Sequence, residues 1–394
     1  MENISPPTRI VCCVTNDLSY DQRMIRICRS LQEAGYQVTL VGRQKPESVP
    51  LIARNFAQQR IHCPFRRGWL FYAVFNLQLF WKLLSSRADI ICAVDLDTLL
   101  PAFLAAKIKR SKLVYDAHEY FTEVPELVNR PLVQRIWSVL ANWLIPRADL
   151  AYTVGPALAD IFERKYRKAF GVVRNLPLSG KTHPDPPHAH PTPILLYQGM
   201  LNEGRGLEAI IDTLPLLPDQ VILWLAGEGD RSASLREQVA AAGLQHRVIF
   251  HGLLAPEALR QLSTKAAIGL NLLENKGLSY YYSLANKAFD YIQAGIPSLQ
   301  MQFPEYERLQ EQWGVFRLVP DLSPATLSAA IHDLLDDPEQ WEALRRNCLL
   351  AAKTLCWENE VPVLLELYRG LSAPRKKPLH TQDNLNKSNT HKGQ

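Results

Sequence analysis

No two cysteines in this chain are spaced C-x-x-C, and no cysteine–histidine cluster has the spacing of a zinc site. The seven cysteines are odd in number. Several sit in apolar runs such as Ile10–Val14 and Ile90–Val94, where a thiol behaves as a small hydrophobe. A disulfide scaffold and a structural zinc domain are therefore not expected, and a reducing, cytoplasmic compartment is. A basic stripe interleaved with aromatics is missing too. The net charge of +5 is mild for 394 residues, and part of it comes from Arg375, Lys376, Lys377, Lys387 and Lys392, so no nucleic-acid partner is expected. The opening Met-Glu-Asn-Ile-Ser-Pro-Pro lacks the basic start and apolar core of a signal peptide. The stretch Trp69–Leu84, preceded by Arg66 and Arg67, is short for a bilayer span and contains Asn76, Gln78 and Lys82. Read as a helix it is apolar nearly all round. It either packs on a sheet, the preferred reading, or sits partly in a membrane interface.

What is present, 47% hydrophobic and 21% charged residues, fits a soluble globular protein of two domains. Arg9–Thr15 is apolar and β-branched and reads as a strand; Met24–Ala34 reads as a helix closed by Gly35, and Gln37–Gly42 as the next strand. This alternation, repeated through Asp89–Val94, Lys112–Tyr115, Asp149–Val154 and Val172–Arg174, is the pattern of parallel βαβ units. Leu178–Pro193 then brings five prolines and three histidines and no long apolar run, which marks a linker. The rhythm restarts at Ile194–Tyr197 and continues through Val221–Ala226, Val248–Phe250 and Ala267–Leu273. The expected division is a Rossmann-like domain over 1–177, a linker over 178–193, and a second Rossmann-like domain over 194–357. A helix over 358–371 would pack back on the first domain, ahead of a disordered tail over 372–394. The fold class is thus α/β: two doubly wound parallel-sheet domains facing a central cleft. Ligands of such sheets sit beyond the carboxyl ends of the strands, which directs attention to 15–23, 116–120, 198–206, 227–229, 251–254 and 274–286.

The stretch 279–297 carries the densest chemistry. A helix is expected to start in it and to end at Gly295, with Pro297 preventing its resumption. Asn286, Lys287 and Asp290 fall within one turn and can share a face. An amide, a cation and a carboxylate beside free helix N–H groups suit a phosphorylated sugar, with Lys for phosphate charge and Asp for ribose hydroxyls. A solvated polar helix start fits the same residues.

With the Asp116-Ala117-His118-Glu119 turn, the loop Gly199–Gly206 and Asn286-Lys-Ala-Phe-Asp-Tyr-Ile-Gln-Ala-Gly-Ile-Pro297, the chain resembles a retaining glycosyltransferase of the GT-B fold, family 4. Thr15-Asn-Asp-Leu-Ser-Tyr-Asp-Gln-Arg-Met24 is similar to a bacterial subgroup of that family found among cell-envelope polysaccharide enzymes. The resemblance covers about 10–371. It implies transfer of a sugar from a nucleotide-diphosphate donor to a glycan, lipid-linked or small-molecule acceptor. It implies no obligatory metal or other cofactor, and a cytoplasmic location that allows peripheral membrane contact through 66–84. Carried over residue by residue, Asp290 takes the place of the Glu that binds ribose hydroxyls. Tyr282 stands where the signature has a second Glu near the donor sugar. In the glycine-rich loop, which includes Gly204, the family's diphosphate-binding Arg is Met200 here and its Lys is Arg205, with Lys287 as the compensating cation. His118 takes the place of the first-domain histidine near the donor sugar, and Glu119 is positioned to orient acceptor hydroxyls. The loop 15–23 lacks the glycines many members have, so Asp17, Asp21 and Arg23 are expected to act there through side chains. His118, Arg205 and Lys287 form the catalytic set; Asp290, Asn286, Glu119, Gly204 and Tyr282 form the substrate-binding set.

Other motifs point elsewhere. Asp95-Leu96-Asp97 has the D-x-D spacing of a metal-held diphosphate, but it ends a first-domain strand, and a loop or helix N-cap role for Asp97 ahead of Leu99 is preferred. Gly227-Glu228-Gly229 reads as a tight strand-to-helix turn rather than a dinucleotide site. His251-Gly252 fits a base-contacting turn or a plain one. Tyr280, Tyr281 and Tyr282 can stack on a sugar or simply pack, and the linker histidines 183, 188 and 190 are not expected to bind metal. Two further functions stay open: a nucleotide-sugar-binding protein with weak or no catalysis, and a nucleotide-sugar epimerase of the same fold.

Overall fold

A computed structural model describes residues 6–19, 21–180 and 192–372. Most of the proline-rich linker, with histidines 183, 188 and 190, lies outside the described residues, as does the tail beyond 372. In the first half, β1 (Arg9–Cys13), β2 (Gln37–Gln44), β3 (Ala57–His62), β4 (Ile90–Val94), β5 (Lys112–Ala117), β6 (Leu150–Thr153) and β7 (Gly171–Val172) form one sheet. Its order is β3-β2-β1-β4-β5-β6-β7, and every pair is parallel. In the second, β8 (Ile194–Gln198), β9 (Ile222–Ala226), β10 (Val248–Phe250), β11 (Ile268–Asn271), β12 (Ser298–Met301) and β13 (Phe316–Val319) form a six-stranded parallel sheet, ordered β10-β9-β8-β11-β12-β13.

The central strands are uniformly apolar because helices cover both faces. All five residues of β4 are buried, and so are four of the five in β1. In each sheet the chain runs outward on one side, then returns to the middle and fills the other. The reversals lie between β1 and β4 and between β8 and β11. Loops leaving the carboxyl ends of such neighbours diverge and open a crevice. Both crevices face the space between the domains, and the site is built there.

Three elements depart from expectation. The edge strand β3, AQQRIH, has no apolar run and is created by its pairing with β2. The helix in 279–297 is interrupted: a turn at Leu278–Tyr281 precedes the main helix Asn286–Ala294, which ends on Gly295 at φ 67°. Between them the Ala285 N–H donates to Tyr306 Oη at 3.0 Å and the Ser283 hydroxyl to the Tyr280 carbonyl at 2.8 Å, which draws the backbone out of the helical ladder. Asp97 is no N-cap. The helix begins two residues earlier, over Asp95–Lys109, and no side chain caps it.

The stretch around Trp69 is a helix, Gly68–Ser85, and it packs on the first sheet. Phe71, Phe75, Leu79 and Leu83, one row at spacing four, are its buried residues. The Arg43 guanidinium lies 4.0 Å over the Phe71 ring. The last helix, Trp357–Ser372, returns to the first domain: Trp357, Leu364 and Tyr368 join the core beside β1, and the Trp357 indole N–H donates to Ser30 Oγ at 3.0 Å. The chain therefore crosses between domains twice, and the crossings touch. Trp357 N–H donates to the Pro177 carbonyl at 2.7 Å, and Arg174 pairs with Glu360 at 3.1 Å.

A third contact joins the domains. Glu305, 1% exposed, starts the second-domain helix Pro304–Trp313, and its carboxylate accepts the Ala157 N–H at 2.6 Å. It thereby caps the first-domain helix Pro156–Tyr166, whose own N-terminus has no side-chain cap. A Cβ at Gly155 would stand 2.7 Å from Glu305 Oε1, so a side chain there would push the capping carboxylate aside.

Candidate active site

On the first-domain side, β5 ends in Asp116-Ala117 and delivers His118 to the cleft. Asp116 is fully buried and pairs with Arg23 at 2.9 Å; Arg23 is 3% exposed and also donates to the Val173 carbonyl at 2.9 Å. Burial alone would raise the Asp116 pKa, but Arg23 and His118 outweigh it and hold it down at about 2. The His118 ring lies between two carboxylates. Nε2 is 3.1 Å from Asp116 Oδ2 and Nδ1 is 3.8 Å from Asp95 Oδ2, while the His118 backbone N–H donates to Asp95 Oδ1 at 2.8 Å. Burial pushes the imidazole down, Asp116 and Asp95 push it up by more, and its pKa comes to about 9. His118 is thus an imidazolium at neutral pH, unsuited to take a proton as a base. Among the described residues its Nδ1–H has no acceptor within ordinary hydrogen-bond distance, the Asp95 carboxylate lying 3.8 Å away, so it is free to donate to a ligand. Asp95 itself sits at φ 56°, a strained backbone for a non-glycine residue. Asp97 accepts from Thr15 Oγ1 at 2.6 Å, and burial lifts its pKa to about 7. Glu119 follows His118 and reaches solvent; burial of its carboxyl, then the carboxylates of Asp95 and Glu126, raise its pKa.

The loop after β1 does structural work. Asp21 caps the helix Gln22–Glu33 by accepting the Met24 N–H at 3.0 Å, Asp17 pairs with Arg60 at 2.8 Å, and Arg23 turns inward to Asp116. The side chains expected to act in this loop are thus engaged by protein partners, and Asp21 and Arg23 also line the cavity described below.

On the second-domain side, the loop after β8 and the start of helix 286–294 converge. Gly199 (φ 126°) and Gly204 (φ 78°) shape the loop, and the Gly204 carbonyl accepts the Glu274 N–H at 2.9 Å. Lys287 reaches back along the loop, with Nζ 3.7 Å from the Tyr197 ring centroid, and lies 3.5 Å from where a Cβ of Gly199 would be. The Arg205 guanidinium lies 4.9 Å over the Tyr280 ring, and its Nε is buried without a partner. Neither cation forms an ion pair among the described residues. Burial, then repulsion from Arg205, lowers the Lys287 pKa well below its ordinary value against the opposing pull of Asp290. Asp290 Oδ2 accepts from Gln198 Nε2 at 2.8 Å, and Gln198 Oε1 accepts from Ser263 at 2.9 Å. Burial raises the Asp290 carboxyl to about 6 against the pull of Arg26.

Asn286 is exposed at the helix start and bridges the domains: Arg26 donates to Asn175 Oδ1 at 2.5 Å, and Asn175 Nδ2 donates to Asn286 Oδ1 at 2.7 Å. His118 and Asn286 line one cavity of about 360 Å³ between the domains, with Asn16, Arg23, Asn175 and Leu284. Tyr282 is half-buried and packs against the first-domain core, while Tyr281 packs on Phe303 of the second at 5.1 Å between ring centroids. Asn175, Gln198 and Ser263 escaped the sequence reading because lone amides and hydroxyls carry no pattern. Among the described residues no group of three or more His, Cys, Asp or Glu could hold a metal ion, and no helix is long and apolar enough to cross a membrane.

The turn Gly227-Glu228-Gly229 braces this loop from below. A Cβ on Gly227 (φ 154°) would stand 1.8 Å from the Gly199 carbonyl oxygen. Gly227→Ala must therefore displace the loop that carries Arg205. Backbone strain of this kind costs about 1–3 kcal/mol. A lowered unfolding temperature together with weaker nucleoside-diphosphate binding is expected, read by thermal shift and calorimetry; wild-type affinity would show the loop plays no part.

Residues 21–175 match the profile described as glycosyl transferase 4-like domain, and residues 192–337 match glycosyl transferases group 1. No curated protein sequence gives a significant match. Among solved structures the chain resembles a sucrose-phosphate synthase from Thermosynechococcus elongatus at 17% identity and TM-score 0.77, over 93% of this chain and 99% of that one. It resembles Anabaena HepE in complex with UDP and glucose at 16% and 0.72, over 93% and 99%. A putative UDP-N-acetylglucosamine 2-epimerase from Listeria monocytogenes follows at 12% and 0.61, over 93% and 97%. At these identities the structures speak for the fold alone, which is GT-B. The two profiles, meeting at the linker and filling one domain each, identify the chain as a glycosyltransferase, with a 4-like first domain and a group 1 second domain.

Proposed function

We propose that the protein moves a glycosyl unit from a nucleotide-diphosphate sugar to a hydroxyl acceptor with retention at the anomeric carbon, as a family 4 enzyme of cell-envelope polysaccharide or glycolipid synthesis. The observation that carries this reading is the pair Arg205 and Lys287, two cations with no ion-pair partner among the described residues, beside an uncapped helix start. A diphosphate would supply the missing charge. Solved HepE structures hold UDP with glucose, and UDP-glucose, in the same fold. Asp290, with Oδ2 fixed by Gln198, offers Oδ1 to the ribose hydroxyls. The sugar then lies toward His118, whose Nδ1–H donates to it, and Glu119 orients the acceptor. The bond from the anomeric carbon to the diphosphate oxygen breaks. The acceptor oxygen bonds to the same face of that carbon, and its proton passes to the departing phosphate. The dominant contribution is electrostatic stabilisation of the leaving diphosphate, which assigns no step to a metal.

Asp290→Ala should weaken nucleoside-diphosphate binding with little change in unfolding temperature, measured by calorimetry. Because the Asp290 pKa is raised to about 6, its grip on hydroxyls should fade as pH drops through that value. Wild-type affinity in the variant at neutral pH would remove Asp290 from the site. The donor is best found by a thermal-shift screen of nucleotide-diphosphate sugars, because binding to the native state raises its melting temperature. A binding protein without catalysis is the competing reading, favoured by Met200 and Tyr282 at positions where the resemblance expects charge. Transfer or donor hydrolysis by purified protein would exclude it, and product analysis without acceptor separates an epimerase, which alters the donor alone.

A further inference from the structure

Asp290 is half-buried, and its two oxygens have different surroundings. Oδ2 accepts from Gln198 Nε2 at 2.8 Å, whereas Oδ1 has no hydrogen-bond partner among the described residues. An aspartate carboxylate turns about two bonds, so the oxygen that faces the cleft is decided by what holds the other. The holding groups lie behind the site. Tyr291, the next residue, is fully buried, and its hydroxyl accepts the Gln198 N–H at 3.3 Å. That hydroxyl also lies 2.9 Å from the Leu196 carbonyl and 3.2 Å from the Leu270 carbonyl, which ties the helix Asn286–Ala294 to β8 and β11. A Cβ on Gly269 would stand 2.5 Å from the Tyr291 ring, so the glycine in β11 leaves room for the ring against the sheet.

Gln198 ends β8 and is 3% exposed, as is Ser263, whose hydroxyl lies 2.9 Å from both Gln198 Oε1 and the Leu259 carbonyl. A hydroxyl has one proton for these two acceptors. With the proton toward Gln198, the amide presents its NH2 to an ionised Asp290. With the proton toward Leu259, the amide can turn over: Nε2 donates to Ser263 Oγ, and Oε1 accepts from a protonated Asp290. Every polar group in the row keeps a partner in both arrangements, so Asp290 can change its charge without leaving an orphan in the core. The charges that favour the ionised form are Arg26 from the first-domain helix Gln22–Glu33, Arg260 from the helix Pro256–Ser263, and Lys287 on its own helix. None of them forms an ion pair with Asp290 among the described residues, which leaves the Gln198 amide as its direct donor. β11 and β12 bring no ionisable side chain, and helix Pro338–Ala352 meets the far end of the Asp290 helix, with Leu349 against Gly295.

With Asp290 as the ribose ligand proposed above, a reading on which this step rests, we propose that Gln198 and Ser263 are positioning residues of the donor site. Through Asp290 they decide which carboxylate oxygen meets the nucleotide, and they thereby set its preference for ribose over 2′-deoxyribose. A carboxylate free to turn adapts to either sugar. One held from behind presents Oδ1 in a single direction, and a nucleotide without the 2′-hydroxyl leaves that oxygen unmatched. A site built to hydrogen-bond a hydroxyl rejects the analogue that lacks it for this reason.

The test is calorimetry of the full chain with UDP, GDP and their 2′-deoxy forms over a pH series. The parent should bind the better ribonucleotide about tenfold or more tightly than its deoxy form, the worth of one hydrogen bond to a charged group. Asp290→Ala should abolish that preference, and Gln198→Met should cut it to about threefold or less. Ser263→Ala should lose part of it, and Ser263→Thr, which keeps the hydroxyl, should retain it. Gln198→Met also takes a hydrogen bond from the ionised carboxylate, so the fall of affinity on acidification, expected near pH 6 in the parent, should move to higher pH. An equal loss for both sugars at every pH would leave Gln198 a structural role alone and overturn the proposal. So would the parent's preference and pH profile in both Gln198→Met and Ser263→Ala, or a parent without preference. Should Gln198→Met fail to fold, Ser263→Ala against Ser263→Thr decides. Failure of the donor reading looks different: Asp290→Ala with the parent's affinity for the ribonucleotide, or a parent that binds neither diphosphate, would remove the ligand and the positioning with it.

Discussion

Lys287→Ala should lower turnover by about 10²–10³, the loss seen when one preorganised donor to a developing anion is removed. The size of the effect follows from where the ammonium stands. It is held over the Tyr197 ring, beside Gly199 and near a second cation, with Asp290 pulling on it but no carboxylate in ion-pair contact among the described residues. Burial and Arg205 already depress its pKa, so the free protein holds this proton weakly. A bound diphosphate stabilises the charged form and restores the pKa, which makes proton uptake part of donor binding. The sign is fixed: the complex binds the proton more tightly than the free protein, so affinity falls as pH rises through the lowered pKa of the free site. Lys287→Arg should keep much of the affinity and flatten that alkaline decline, because a guanidinium stays charged throughout. Calorimetry with a nucleoside diphosphate across a pH series reads both effects. Full turnover in Lys287→Ala, or an unchanged pH profile in Lys287→Arg, would place the diphosphate elsewhere.

The largest effect on stability should come from Arg23→Met. Removing one partner of a buried ion pair costs about 3–5 kcal/mol, because the other charge stays buried and uncompensated. Asp116 is fully buried, and Arg23 also satisfies the Val173 carbonyl. Unfolding of the first domain should shift to markedly lower denaturant, and the double variant with Asp116→Asn should recover part of the loss, since the orphaned charge is gone. Such non-additivity is what a double-mutant cycle measures for groups in contact. The pair also sets an acid limit. The folded pKa of Asp116, about 2, lies below the unfolded value of about 3.9, so its contribution is complete above the unfolded value and is lost as pH falls through the folded one. Equal stability of Arg23→Met and the parent would mean the pair contributes nothing.

Much of this was legible in the chain, and the illegible parts share a cause. Apolar β-branched runs such as Ile90–Val94 announce buried parallel strands, and Gly295 with Pro297 announces a helix end, because those signals are local. The strand β12 is buried yet reads SLQM. Its Gln300 is tolerated because Asn271 of β11 donates to it at 2.6 Å, a partner invisible along the sequence. The break before Asn286 depends on Tyr306, and the inward turn of Arg23 depends on Asp116 93 residues away. At the site, charge type and spacing singled out Lys287 and Asp290, and the family resemblance His118, whereas the two carboxylates that raise the His118 pKa are set by the meeting of β4 and β5.

The double crossing between the domains has a mechanical meaning. A single strand between two bodies is a swivel, free to turn about its own length and to bend in any direction. Two strands lying together, tied by the bond from Trp357 to Pro177 and by Arg174 with Glu360, behave as a door hinge and leave one easy rotation. That rotation moves Glu305 onto or away from the start of helix 156–166, and with it Asn286 toward or away from His118. The loop after β8 and His118 can then separate and return along the same arc, without a search for alignment each time.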